Sequence, residues 1–100
     1  MSESTPRLSV IVPARDAEGT IADCLRALTQ QQGYIMGRDY EIILVDDGSQ
    51  DKTAKIAEEL GVNVIRQPNA GPAAARNTGV EHASGDLVFF TDADCIPAPD

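Results

Sequence analysis

One hundred residues, 42% of them hydrophobic and 24% charged, describe a single globular domain with a modest core and exclude a disordered chain. A net charge of −8, shared evenly between the two halves and without a basic cluster, argues against a nucleic-acid backbone as partner. No apolar run approaches the ~18 residues of a membrane span, and the opening MSESTPR lacks the apolar stretch of a signal peptide, so the chain reads as cytoplasmic.

The first predicted element is LSVIV, residues 8 to 12 (β1), a short β-branched run without polar alternation. Ile21, Cys24, Leu25 and Leu28 then fall at helical spacing (α1), with Thr20 as N-cap and Asp23 three positions on, as in a capping box. The segment QQQGYIMGRD, 30 to 39, reads as a loop. EIILV, 41 to 45, is the second strand (β2), and Thr53, Ile56, Ala57 and Leu60 repeat the helical spacing (α2) before Gly61 stops it. VNVI, 62 to 65, forms β3. A third helix (α3) begins at Pro72, after Gly71, and ends by Gly85. LVFFT, 87 to 91, is β4. All four strands are expected to be buried on both faces of a mainly parallel sheet. The order β1-α1-β2-α2-β3-α3-β4 gives an α/β domain with right-handed crossovers. Residues 1 to 7 are expected to be a flexible terminus.

In such a sheet ligands bind at the carboxyl ends of the strands, where the strand order reverses. The informative residues are therefore PARD (13 to 16) after β1, DDGSQDKT (46 to 53) after β2, and TDADC (91 to 95) after β4. Three acidic or polar clusters at one edge make a negative pocket that an anionic ligand enters only with a cation. Asp92 and Asp94 supply the hard carboxylate oxygens that Mg²⁺ or Mn²⁺ takes alongside phosphates and water. Taken alone, a D-x-D at a strand end also serves as a turn, and Asp46, Asp47, Ser49 and Asp51 also serve as an Asx turn and a cap.

In order and spacing, LSVIVPARDAEGTIADCLRAL, EIILVDDGSQDKTAKI and NAGPAAARNTGVEHASGDLVFFTDADC resemble the nucleotide-binding half of the inverting glycosyltransferases of family 2, which have the Rossmann-like GT-A fold. The resemblance runs from Leu8 onward. It implies that Asp92 and Asp94 are the family's DxD pair, contacting the ribose and the divalent cation, with Asp94 the principal metal ligand. Asp47 matches the aspartate that contacts the nucleobase, and Arg76 the arginine that closes over the nucleotide. Pro13, Ala14, Arg15, Asp16 and Gly71 complete the expected nucleotide-sugar-binding set. After Pro13 the family usually carries an aromatic residue and an Asn, where this chain has Arg15 and Asp16.

The implied reaction is metal-dependent transfer of a sugar from a nucleoside-diphosphate sugar to an acceptor hydroxyl of a glycan, lipid or small molecule. Inversion requires a general base to take the acceptor proton. The family keeps that base and the acceptor surface C-terminal to the DxD, so the catalytic base is expected C-terminal to Asp100. Residues 8 to 100 are then expected to be the donor half of a longer enzyme, truncated after the DxD. Alone, they are expected to bind without catalysing and to self-associate through the cut sheet edge. Membrane association would come only through later segments.

Two other readings stand beside this one. A sugar-nucleotide nucleotidyltransferase would carry a Gly- and basic-rich phosphate loop after β1, where PARDAEGT has only Gly19 and Arg15. A non-catalytic nucleotide-binding module of the same fold would bind without metal dependence. The lack of a G-x-G-x-x-G after β1 argues against a dinucleotide-dependent dehydrogenase. Cys24 and Cys95 match no metal spacing and are expected to be reduced thiols without a chemical role. His82 reads as a solvated helix position, and Gly79 as a site of close helix-to-sheet packing.

Overall fold

The computed structural model describes residues 8–29 and 40–91. Seven elements follow one another: β1 (Leu8–Ala14), α1 (Ile21–Thr29), β2 (Tyr40–Asp47), α2 (Thr53–Glu59), β3 (Asn63–Gln67), α3 (Pro72–His82) and β4 (Leu87–Phe90). The strands form one parallel sheet in the order β3-β2-β1-β4. The chain steps outward from β1 through β2 to β3, and α3 then carries it back to the far side of β1. Strand order thus reverses between β1 and β4, which puts the switch point at their carboxyl ends.

The expected element order is observed, but two strands run further than their apolar cores. β1 continues through Pro13 and Ala14, paired with Val45 and Asp46, and β2 continues through Asp46 and Asp47, paired with Arg66 and Gln67 of β3. Residues expected in loops therefore stand in strands, held by ladder pairing that does not depend on side-chain polarity.

Period-two alternation divides the core into two layers. Val10, Val12, Ala14, Ile42 and Leu44 face α1 and α2, against Ile21, Cys24, Leu25, Leu28 and Ala57. Ile11, Ile43 and Val45 face the other way, against Ala75 of α3. The Cys24 side chain is buried, as its place on the apolar face of α1 predicts. The Tyr40 hydroxyl donates to the Leu28 carbonyl at 2.7 Å, tying the end of α1 to the start of β2.

Burial on both faces is found for β1 and β2 but not for the outer strands. β3 is half-exposed, and on β4 Leu87 is 64% and Phe89 54% exposed. Each of these strands pairs on one side only among the described residues.

The end of α2 and the start of α3 follow their sequence signals. Gly61, at φ 84°, lets its own N–H donate to the Glu58 carbonyl and the Val62 N–H to the Ala57 carbonyl, the two bonds of a Schellman stop after α2. Gly71, at φ 100°, caps α3 and Pro72 opens it. The loop expected at 30–39 lies outside the described residues. Among the described residues no helix is long and apolar enough to cross a membrane.

Candidate functional site

A pocket opens at the carboxyl edge of β1 and β2, on the α3 side of the sheet. Pro13, Ala14, Arg15, Asp47, Asn69, Gly71, Pro72 and Ala75 line it. Alternation along β2 decides which aspartate of the DDG sequence reaches it. Asp47 shares the face of Ile43 and Val45 toward α3, while Asp46 shares the face of Ile42 and Leu44. Both are buried, at 5% and 6% exposure. Asp46 Oδ1 accepts the Ser49 N–H at 3.1 Å, an Asx-type turn out of the strand. Asp46 therefore shapes the turn, and Asp47 belongs to the pocket.

The Asp47 carboxylate organises the segment that leads into α3. Its Oδ1 accepts the Ala70 N–H at 2.8 Å and the Gln67 Nε2–H at 2.9 Å, and its Oδ2 accepts the Gly71 N–H at 2.9 Å. Asn69 Nδ2 donates to the Asp47 carbonyl at 3.3 Å. Burial raises the carboxyl pKa, but the hydrogen bonds from Gln67, Ala70 and Gly71, with the positive charge of Arg15, outweigh it and hold Asp47 below its ordinary value. Gly48, at φ 80°, packs so closely here that a Cβ would stand 2.8 Å from the Asn69 nitrogen.

Gln67, Asn69 and Thr78 were not expected at the site. Gln67 is the register partner of Asp47, and the Thr78 hydroxyl donates to Gln67 Oε1 at 2.6 Å. The register could not be read before the strand order was known.

The loop after β1 locks to the loop after β2. Asp16, at φ 51°, donates its N–H to Ser49 Oγ at 2.8 Å and accepts the Gln50 N–H at 2.8 Å. The Ala17 N–H donates to Thr53 Oγ1, and the Glu18 N–H to Asp51. Asp51 also accepts the N–H and hydroxyl of Thr53, and the hydroxyl bond leads in holding its pKa below the ordinary value. Ser49 and Asp51 therefore serve as turn and cap. Asp16 is a latch between loops and does not line the pocket, unlike Pro13, Ala14 and Arg15 beside it.

Matched against known proteins, residues 9–100 fit the profile of the family described as Glycosyl transferase family 2. The chain belongs to glycosyl transferase family 2.

Glycosyltransferase AglE of Haloferax volcanii is 39% identical over 97% of this chain and 33% of its own length. The undecaprenyl-phosphate 4-deoxy-4-formamido-L-arabinose transferase of an Enterobacter species is 35% identical over 98% of this chain and 32% of its own. Among solved structures, the mannosyltransferase PcManGT from Pyrobaculum calidifontis, in complex with GDP-Man and Mn²⁺, is similar with a TM-score of 0.83 at 32% identity, over 95% of this chain and 30% of that one. S. aureus TarS in complex with UDP-GlcNAc gives a TM-score of 0.81 at 33% identity, over 88% of this chain and 26% of that one. This chain spans about a third of the length of the two curated relatives. The parallel sheet with its interleaved helices is the Rossmann-like arrangement of GT-A glycosyltransferases.

The family 2 motifs do not all meet in the pocket. Pro13, Ala14, Arg15, Asp47 and Gly71 are brought together. Arg76 is exposed on α3, outside the pocket lining, and its side chain pairs with no described residue. Asp92, Asp94 and Cys95 lie outside the described residues. So does Asp100, the residue beyond which the general base is expected. Among the described residues no group of three or more His, Cys, Asp and Glu is arranged to hold a metal ion. His82 is exposed and its Nδ1 donates to the Thr78 carbonyl at 2.9 Å within the same helix.

Pro13 adds a feature of its own. The Thr91 N–H donates to the Ile11 carbonyl at 3.1 Å, so odd-numbered residues of β1 direct their polar groups toward β4. The next donor on that side would be residue 13, and proline has none. The ladder between β1 and β4 loses its next bond at the switch point, where the pocket begins.

Proposed function

We propose that this chain binds the nucleoside-diphosphate sugar donor of a metal-dependent, inverting glycosyltransferase that transfers the sugar to an acceptor hydroxyl. The observation that carries this reading is the Asp47 carboxylate, ionised and fixed in a pocket beneath the start of α3. A buried carboxylate that only accepts hydrogen bonds suits an N–H on a nucleobase edge. Arg15 beside it, and Arg76 along α3, suit the diphosphate. The similar solved structures, S. aureus TarS and PcManGT, contain UDP-GlcNAc and GDP-Man, which supports a nucleotide-sugar donor here.

Donor chemistry also fits a divalent cation. Asp92 and Asp94 follow Thr91, whose N–H is fixed to the Ile11 carbonyl beside Pro13. They would hold Mn²⁺ or Mg²⁺ through carboxylate oxygens, Asp94 as principal ligand and Asp92 with the ribose as well. The cation would offset the charge that develops on the departing diphosphate. Among the described residues Asp47 is the single carboxylate lining the pocket, and its acceptor sites are mostly filled by its own neighbours. We therefore place the general base and the acceptor surface C-terminal to Asp100, in the remaining length that the relatives possess, and these hundred residues on the donor side.

Titration calorimetry with uridine and guanosine diphosphate, with Mn²⁺ and then with chelator, tests the proposal. One of the two nucleotides should bind, and more tightly with metal. Binding of neither overturns the donor-site reading, and equal affinity in both conditions overturns the metal.

A further inference from the structure

The relay behind Asp47 is not explained by the fold alone. Thr78 on α3, Gln67 at the end of β3 and Asp47 at the end of β2 are joined side chain to side chain, at 2.6 Å and then 2.9 Å. Its polarity is forced. An ionised carboxylate can only accept, so Gln67 must present Nε2–H to Asp47. Its Oε1 then faces Thr78, whose hydroxyl must donate. A flipped amide would set Oε1 against the carboxylate.

The relay also determines which acceptor site of Asp47 remains open. A carboxylate has about four lone-pair directions. Oδ1 is filled by Gln67 and Ala70, and Oδ2 holds only Gly71 among the described residues. The open position is on Oδ2, the oxygen bonded to Gly71, and Gly71 and Asp47 both line the pocket.

We infer that Gln67 and Thr78 are positioning residues: they hold the Asp47 carboxylate so that one oxygen is reserved for a donor N–H of the nucleobase. The inference rests on the donor-site reading above. Neither residue needs to touch the ligand. Gln67 fixes the rotation of the carboxylate about its last bond, and Thr78 fixes the orientation of the Gln67 amide. The depressed pKa of Asp47 agrees, because Gln67 is foremost among the hydrogen bonds that lower it.

The test measures affinity of the full chain, with Mn²⁺, for uridine or guanosine diphosphate, whichever binds more tightly, and for inorganic pyrophosphate, which has no base. Thr78→Val keeps the shape and removes the donor. It should weaken nucleotide binding roughly two- to ten-fold, the scale of one hydrogen bond, and leave pyrophosphate unchanged. Thr78→Ser should restore wild-type affinity. Gln67→Met should weaken nucleotide binding at least as much as Thr78→Val. Asp47→Asn separates the two levels of the argument. If Asp47→Asn weakens the nucleotide while Thr78→Val and Gln67→Met bind it as wild type, the positioning inference falls and the donor-site reading stands. Equal weakening of nucleotide and pyrophosphate by Thr78→Val and Gln67→Met also overturns the inference, since the relay would then be supporting the scaffold. If Asp47→Asn binds the nucleotide as wild type, or if wild type binds neither nucleotide, the base contact itself falls and takes the inference with it.

Discussion

Gly79 of α3 sits against Ile11 of β1 with no room for a side chain between them: a Cβ on Gly79 would stand 2.3 Å from Ile11 Cγ2. Ile11 is fully buried, and this contact sets how near α3 lies to the sheet whose face it covers. Gly79→Ala gains ~1 kcal/mol of helix propensity, but overpacking of this kind costs about 1–3 kcal/mol. A net loss of stability is therefore expected in urea denaturation. Adding Ile11→Ala should give a double mutant less destabilised than the sum of the singles, because the clash disappears with the isoleucine. A Gly79→Ala protein as stable as wild type would show that α3 can lift without cost.

Asp46 and Asp47 are sequence neighbours that face opposite sides of one strand, so their alanine variants should separate. Asp47→Ala is expected to weaken nucleoside-diphosphate binding by about 1–3 kcal/mol, the scale of a hydrogen bond to a charged group, with metal dependence retained. Asp46→Ala should bind as wild type and lose about 0.5–2 kcal/mol of stability with its turn. Calorimetry and thermal melts on the same samples decide it. Loss of binding in Asp46→Ala alone would reverse the assignment.

What the sequence makes legible follows from how local each signal is. Apolar runs alternating with helical spacing specify the seven elements, and Gly61, Gly71 and Pro72 mark helix ends because a single backbone geometry is at stake at each. Gly79 is readable as a packing glycine because its helical position asks nothing of the backbone that another residue could not supply. The partners of Asp47 are not legible. Gln67 lies twenty positions away along the chain, and Thr78 further still. Only the pairing of β2 with β3 and the crossing of α3 bring them to the carboxylate. Arg76, which matches a motif position, and Asp16, which stands at one with a different residue, show the converse, since a place in the motif says nothing of which way the side chain turns. Arg76 is exposed, and the Asp16 carboxylate is turned to the Gln50 N–H.

The metal prediction turns on Asp94. Asp94→Ala should bring nucleoside-diphosphate affinity with Mn²⁺ down to the value seen with chelator while the melting temperature stays within error of wild type. A carboxylate that serves a cation and not the core removes little stability when lost. A variant that keeps the metal enhancement would move the principal ligand to Asp92 or to residues outside the pair.

At the opposite, amino edge of the sheet, Glu41 gives the protein an acid-sensitive fastening. Its Oε2 accepts the Ser9 hydroxyl at 2.6 Å, the Ser84 N–H at 2.8 Å and the Ser84 hydroxyl at 2.9 Å. The Gly85 N–H closes the ring on Ser9 Oγ. Together they pin the turn between α3 and β4 to β1 and β2. Burial raises the Glu41 pKa, but these hydrogen bonds to the charged form outweigh it, and the group lies below its ordinary value of 4.5. The folded state therefore holds fewer protons than the unfolded chain through the carboxylate range. Stability from this group is complete above the unfolded value and is lost as pH falls through the lower folded value. Asp47 and Asp51, also depressed, act in the same direction. Melting temperatures should thus hold from neutral pH to about pH 5 and then fall steeply below about pH 4.5. Glu41→Gln should melt below wild type at neutral pH, and the gap should narrow as the pH drops, because the wild-type carboxyl then loses its charge as well. A gap of constant size from pH 7 to pH 3 would mean that the charge on Glu41 contributes nothing and that the ring is held by its neutral hydrogen bonds.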